Sequence, residues 1–213
     1  MAPRDLRTRL TRRAAKAGVF VPEAVFDRLI AFYELLERWN RKINLTALDD
    51  PDLAIDRLLL EPVAAARHLP QGARLIDIGS GGGSPAIPLA LASGATGLTM
   101  VESKARKSAF LREAIRQLQL AGATVENSRF EELLAKPELH ESFDVLSLRA
   151  VRIEARVLTS LQAFVKPNSC VALFRGPSGP DAPSVLVPPL EWAGTFPLVE
   201  TLQSRLTLLR KVR

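Results

Sequence analysis

Between residues 77 and 85 the chain reads Asp77-Ile78-Gly79-Ser80-Gly81-Gly82-Gly83-Ser84-Pro85. Glycines at this density allow positive φ and a close approach of backbone to ligand. The stretch follows a strand-like run, Arg74 to Ile78, and opens a helical one. Backbone N–H groups exposed at a helix start favour an anion, such as the carboxylate of an amino-acid moiety. Pro85 suits a first helical turn, where its missing N–H costs nothing. A dinucleotide fingerprint, G-x-G-x-x-G, wants glycine where Ser84 stands. The spacing here is D-x-G-x-G-x-G, from Asp77 through Gly79 and Gly81 to Gly83, the pattern associated with S-adenosylmethionine. A glycine turn without a ligand is the plainer alternative, and the strand–turn–helix context speaks against it.

Two further residues extend the constellation. Glu102 ends a second strand 25 residues after Asp77, where an acid can accept hydrogen bonds from both ribose hydroxyls. Its plainer reading is a solvated carboxylate. Arg149 follows a fourth strand, at the edge where open α/β sheets bind ligands. A guanidinium there can pair with a carboxylate or phosphate, or stack on a base; otherwise it is a surface arginine. Absences narrow the chemistry. Cytosine C5 methylation needs a cysteine nucleophile, but Ser147-Leu148-Arg149-Ala150 has none, and Cys170 lies in an apolar run that reads as buried. The Asn/Asp-Pro-Pro-aromatic tetrad of adenine N6 methylation is missing too. Val187-Pro188-Pro189-Leu190 has the prolines without the polar residue or the position. His68 and His140 have no partner at metal-ligand spacing, so no metal is expected.

The elements that must carry these residues divide near residue 70. Before it, Val25, Phe26, Leu29, Ile30, Phe32, Tyr33, Leu36 and Trp39 form a helical stripe. The turn Asp49-Asp50-Pro51-Asp52 leads into a second helix with Leu53, Ile55, Leu58 and Leu59. From Gln71 onward, strand-like runs alternate with helical patterns: 74–78, 98–101, around Val125, 143–148 and 170–174. Ser103 is placed to cap the helix that carries Phe110, Leu111, Ala114, Ile115 and Leu118. Gly176 to Pro189, rich in proline, reads as a loop, and two strands follow near 195–201 and 206–209. Such interleaving implies βαβ units and a parallel sheet. The expected fold is α/β: a class I, Rossmann-like methyltransferase with a mostly parallel seven-stranded sheet flanked by helices. Residues 1–70 are expected as a basic arm and helical extension, and residues 71–213 as the S-adenosylmethionine-binding domain.

The bulk numbers agree with one globular unit: 213 residues, 47% hydrophobic, 24% charged. A single cysteine excludes an internal disulfide and fits a cytoplasmic protein. No apolar run is long enough for a membrane span. The net charge is +6, of which residues 1–20 hold +5. Such an arm favours an anionic partner, usually nucleic acid, with a solubilising tail as the alternative. It lacks serine, which argues against an organellar transit peptide.

Longer motifs carry a resemblance. Trp39-Asn40-Arg41-Lys42-Ile43-Asn44-Leu45-Thr46, the loop from Asp77 to Pro88, Val101-Glu102-Ser103, Phe110-Leu111-Arg112-Glu113, Ser128-Arg129-Phe130-Glu131-Glu132 and Leu148-Arg149-Ala150 resemble the RsmG family. These are bacterial small-subunit rRNA guanine-N7 methyltransferases, formerly called glucose-inhibited division protein B. The resemblance spans roughly residues 14 to 176. It implies a monomeric, cytoplasmic enzyme acting on guanine N7 in the decoding-region loop of 16S rRNA in the small ribosomal subunit. It implies a cofactor site of Asp77, Gly79, Ser80, Gly81, Gly83, Ser84, Glu102, Phe130, Glu131 and Arg149, with S-adenosyl-L-methionine as cofactor. The backbone at Phe130 and Glu131 would lie beside the adenine, and Arg149, the catalytic candidate, near the methyl and the target base. Three departures stand out. The family's Arg-His-x-x-Asp-Ser is here Arg57-Leu58-Leu59-Leu60-Glu61-Pro62, its Phe-Pro-Gly is Ser84-Pro85-Ala86, and a family lysine is Arg175.

Overall fold

The computed structural model describes residues 3–149, 154–178, 183 and 186–213, without the side chains of residues 3 and 4. The Arg4 side chain of the basic stretch, Ala150 after the fourth strand and residues 179–182, 184 and 185 of the proline-rich loop fall outside that set. The chain opens with α1 (Pro3–Ala17), α2 (Glu23–Ile43), α3 (Pro51–Ile55), a π-helical turn (Asp56–Leu60) and α4 (Glu61–Ala66). Strands and helices then alternate: β1 (Arg74–Ile78), α5 (Ala86–Ser93), β2 (Gly97–Val101), α6 (Ala105–Gln117), β3 (Ala123–Glu126), α7 (Phe130–Leu133), β4 (Phe143–Arg149), α8 (Ala155–Leu161) and β5 (Val165–Arg175). The hairpin β6 (Leu190–Pro197) and β7 (Arg205–Lys211) ends the chain.

The seven strands lie in the order β3-β2-β1-β4-β5-β7-β6, and only β7 runs antiparallel to its neighbours. The expected α/β sheet is therefore present, with its strands where the pattern put them. β5 begins five residues before the apolar run, at Val165, and β6 begins before its expected place, at Leu190. The order reverses between β1 and β4, and the carboxyl edge at such a switch point is where open sheets hold ligands.

Side-chain alternation decides which residues reach that edge together. Leu75, Met100, Val145, Ala172 and Phe174 pack on the face covered by α1 to α6. Ile76, Ile78, Leu146, Leu148, Val171 and Leu173 pack on the opposite face. Asp77, Ser147 and Arg149 share the parity of Leu75 and Val145, so they turn toward the helical N-terminal third of the chain. That third belongs to the same core as the sheet.

Two expectations need correction. The basic N-terminus is not a free arm. Leu6, Leu10 and Ala14, spaced one turn apart, are buried on one face of α1. Its arginines meet acids: Arg7 reaches Asp27 and Glu23, Arg9 and Arg12 reach Asp52, and Arg13 pairs with the fully buried Asp56. Three apolar positions among so many charges are a weak stripe, which is why the charge dominated the sequence pattern. Nor does Ser103 cap α6. The residue before that helix is Lys104, without a side-chain cap bond, and it is Ser108 that hydrogen-bonds back, to the Glu102 carbonyl at 2.9 Å.

Candidate active site

Three of the loop glycines, Gly79, Gly81 and Gly83, adopt positive φ. At Gly83, whose φ is +79°, an added Cβ would also come within 2.9 Å of the Ile87 side chain and 3.2 Å of the Phe32 ring, so a substitution there is strained and crowds both. The loop is stitched to the sheet. The Gly79 and Ser80 amides donate to the Val101 carbonyl, Gly83 donates to the Ser80 carbonyl, and Gly81 donates to Glu102 Oε2 at 2.9 Å. These four amides thus rigidify the loop instead of standing open to a ligand. Pro85 sits at the N-cap of α5, one residue before the expected first turn.

Beneath the loop, Asp77 is buried and takes a 2.5 Å hydrogen bond from the Ser147 hydroxyl. Burial raises its carboxyl pKa, against the Ser147 and Ser80 hydroxyls and the Arg149 charge. Its second oxygen, Oδ2, has no partner.

On one side of the loop lies a cavity of about 190 Å³, lined by Gly79, Glu102, Ser128, Phe130, Glu131 and Val157, among others. The structure therefore brings together four residues that the sequence singled out: Gly79, Glu102, Phe130 and Glu131. Glu102 is only 7% exposed, and besides Gly81 it accepts from the Lys104 amide at 2.8 Å. Each carboxylate oxygen keeps a lone pair for a further donor. Ser128 Oγ is buried without a partner.

On the other side, a cavity of about 350 Å³ is lined by Leu45, Thr46, Arg57, Leu58, Gly82, Ser84 and Arg149, with further apolar residues. Arg149 lies 5.0 Å over the Phe174 ring and donates to Glu61 Oε2 at 2.5 Å, Ser84 Oγ at 3.0 Å and the Arg57 carbonyl at 3.1 Å. Arg57 in turn holds Glu61 Oε1 at 2.8 Å. Burial pushes the Arg149 pKa down to about 10, so it remains a cation at neutral pH. Its Nε has no partner.

A proline explains these acceptors. Pro62 has no N–H, so neither an α-type bond to the Leu58 carbonyl nor a π-type bond to the Arg57 carbonyl can form from it. The π-helical turn lies immediately before it, and both freed carbonyls find donors at the site. Arg57 accepts from Arg149, and Leu58 accepts from the Ser84 hydroxyl at 2.8 Å.

Buried polar atoms without partners are uncommon and ask for an explanation. Among the described residues there are four, and three of them, Asp77 Oδ2, Ser128 Oγ and Arg149 Nε, belong to this region. An amino-acid ammonium, a purine edge and an acceptor are the groups that would complete them. The residues present fit S-adenosylmethionine.

A family model described as rRNA small subunit methyltransferase G matches residues 26–212. The chain belongs to this family. Proteins named ribosomal RNA small subunit methyltransferase G from Syntrophotalea carbinolica and Xanthomonas axonopodis pv. citri are 30% and 37% identical to it. The first alignment covers 82% of this chain and 80% of the relative, the second 70% and 68%. The fold recurs in a methyltransferase from Aquifex aeolicus described as SAM dependent, with TM-score 0.57, 14% identity and coverage of 80% of this chain and 97% of that one. It recurs also in a mutant of MtNAS in complex with S-adenosylmethionine, with TM-score 0.58, 16% identity and coverage of 99% and 97%.

Membership makes sense of the motif at residues 39–46. Asn40 Oδ1 accepts from the Leu45 and Thr46 amides at 2.6 and 2.8 Å, and Asn44 ends α2 in the left-handed conformation. Together they fold the chain back so that Leu45 lies against Gly82, where an added Cβ would meet its carbonyl at 3.3 Å. Trp39 packs edge-on against Phe110 of α6 at 5.8 Å. The motif therefore builds one wall of the Arg149 cavity. Sequence reading missed Arg57, Glu61 and Phe174 as partners of Arg149. Glu61 stands where the family has aspartate, and the retained carboxylate was the available signal.

Proposed function

We propose that this chain transfers a methyl group from S-adenosylmethionine to N7 of a guanine in the decoding-region loop of small-subunit rRNA. The reading takes it as a cytoplasmic monomer whose partner is the small subunit. The observation that carries the choice of atom is the lining of the Arg149 cavity. Among the described residues it holds no carboxylate, histidine, cysteine or lysine. Guanine N7 presents a lone pair and has no proton to remove. An acceptor of that kind needs neither a general base nor a covalent nucleophile, and Cys170, whose thiol burial pushes up to about 12, is unfit to be one.

Bound S-adenosylmethionine supplies an electrophilic methyl. The chain's part is placement, which can lower a barrier by several kcal/mol. Glu102 takes the ribose hydroxyls, with Phe130 and Glu131 beside the purine. Asp77 Oδ2 receives the ammonium, and the loop of Gly79, Ser80, Gly81, Gly83 and Ser84 separates the two cavities. Arg149, held by Glu61, Ser84 and the Arg57 carbonyl, orients the incoming base without moving a proton.

Calorimetry should show binding of S-adenosylmethionine or its demethylated product and none of NAD. Glu102→Gln should weaken that binding by about 1–3 kcal/mol, the worth of hydrogen bonds to a charged group. Mass spectrometry of methylated rRNA should place the methyl on guanine N7. Single-turnover rates should show no side-chain ionisation between about pH 6 and 9, since general-base catalysis is what produces such a limb. A methyl on an exocyclic amine or a carbon, or a bell-shaped profile, overturns the reading.

A further inference from the structure

Residues 38–47 carry Arg38, Arg41 and Lys42, residues 103–112 carry Lys104, Arg106, Lys107 and Arg112, and neither segment contains an acid. Together they hold +7 against a net +6 for the whole chain, so everything outside them sums to −1. The fold makes one surface of the two. α2 and α6 pack antiparallel: Arg28 near the start of α2 donates to the Leu118 carbonyl after α6, while Trp39 near its end meets Phe110. The basic end of α2 therefore lies beside the basic end of α6. Both stand at the glycine loop, with Leu45 against Gly82 and the Lys107 ammonium 4.0 Å from where a Gly81 Cβ would be. Arg41 lines a hollow that shares Leu36, Thr46, Leu48 and Leu58 with the Arg149 cavity.

These cations are available. Arg41, Lys42, Lys104, Arg106 and Arg112 are exposed, and among the described residues none of them, nor Lys107, is in an ion pair. Of the nearby acids, Glu113 is engaged by Arg116 and Gln117, while Glu37 and Asp49 line the hollow beside Arg41. The contrast with α1 is direct, because the arginines there face Glu23, Asp27, Asp52 and Asp56.

Resting on the proposed function, we infer that the α2–α6 ridge, and not the basic N-terminus, binds the RNA phosphates that present the target base to the Arg149 cavity. Exposed cations carried on two packed helices and flanking a base-sized cavity suit a folded polyanion. A lipid surface would also want exposed apolar side chains. The described ones, Phe20, Leu53, Leu186 and Trp192, all lie outside the two segments.

The test is the salt dependence of binding to naked 16S rRNA and to small subunits. Each phosphate contact contributes about 0.9 to the slope of log K against log salt on duplex and about 0.7 on single strands. The fourfold variant Arg41→Gln, Lys42→Gln, Arg106→Gln, Arg112→Gln should flatten the slope by about three. It should raise KM for RNA and leave the cofactor dissociation constant unchanged. The pair Arg9→Gln, Arg12→Gln should leave the slope as it is. An unchanged slope in the ridge variant of an active enzyme, or a slope that responds to the α1 pair instead, overturns the inference alone. A wild-type protein that binds cofactor but neither binds nor methylates rRNA overturns the functional reading beneath it.

Discussion

Asp56 and Glu61 stand at the start of the π-helical turn and just past its end, both without solvent exposure and both held by arginine. Asp56 is saturated. Arg13 bonds both of its oxygens, and the Thr201 hydroxyl adds a third donor at 2.5 Å, so the cluster ties α1 to the turn before β7. Glu61 shares its oxygens between Arg57 and Arg149, and Arg149 keeps a free Nε beside a cavity. The same buried chemistry thus serves two ends. A network with every group partnered has nothing left to offer a ligand and acts on the fold. A network with one donor left over is poised for a ligand, because an unpaired buried group is costly until something completes it.

Arg149→Ala is the sharpest way to break the comparison. It should lower kcat by a hundredfold or more, since misplacing a reacting group by about 1 Å can cost about that much. Glu61 keeps Arg57, so circular dichroism should stay near wild type. Substantial turnover by Arg149→Ala would mean that its cluster is structural like the one at Asp56. Asp56→Ala should show the opposite pattern. It leaves the buried Arg13 with only the more exposed Asp52, at 3.5 Å, and loss of one member of a buried pair costs up to about 3–5 kcal/mol. Denaturant unfolding should report that loss, while the folded fraction keeps its kcat. A kcat that falls with unchanged stability would place Asp56 at the active site.

How much of this was legible differs between the same two clusters. Asp77, Gly79, Glu102 and Arg149 could be read because strand ends and glycine density are local signals, and sheet parity then puts Asp77 and Arg149 on one face. Arg13–Asp56 and Arg149–Glu61 join residues 43 and 88 positions apart, and no local pattern encodes them. The N-terminal charge misled for the same reason. Charge counts ignore partners, and the acids that neutralise α1 lie on other helices. The basic segments of α2 and α6 each looked ordinary until antiparallel packing joined them.

Pro62 supplies the finest test. In a regular helix interior, proline costs about 3 kcal/mol by removing a hydrogen bond and crowding the preceding turn. Here the π-helical turn relieves part of that cost, and the freed carbonyls of Arg57 and Leu58 hold Arg149 and Ser84 in place. Pro62→Ala restores an N–H that competes for one of those carbonyls. Stability should rise by about 1 kcal/mol, a fraction of the proline cost. The catalytic guanidinium should lose a fixed contact at the same time. A kcat lowered a few-fold at unchanged RNA KM, together with a raised Tm, is the expected result, a small exchange of stability for placement of the kind seen at functional sites. If Pro62→Ala lowers Tm and leaves kcat intact, the proline serves the fold, as Asp56 does, and the positioning of Arg149 rests on Glu61 alone.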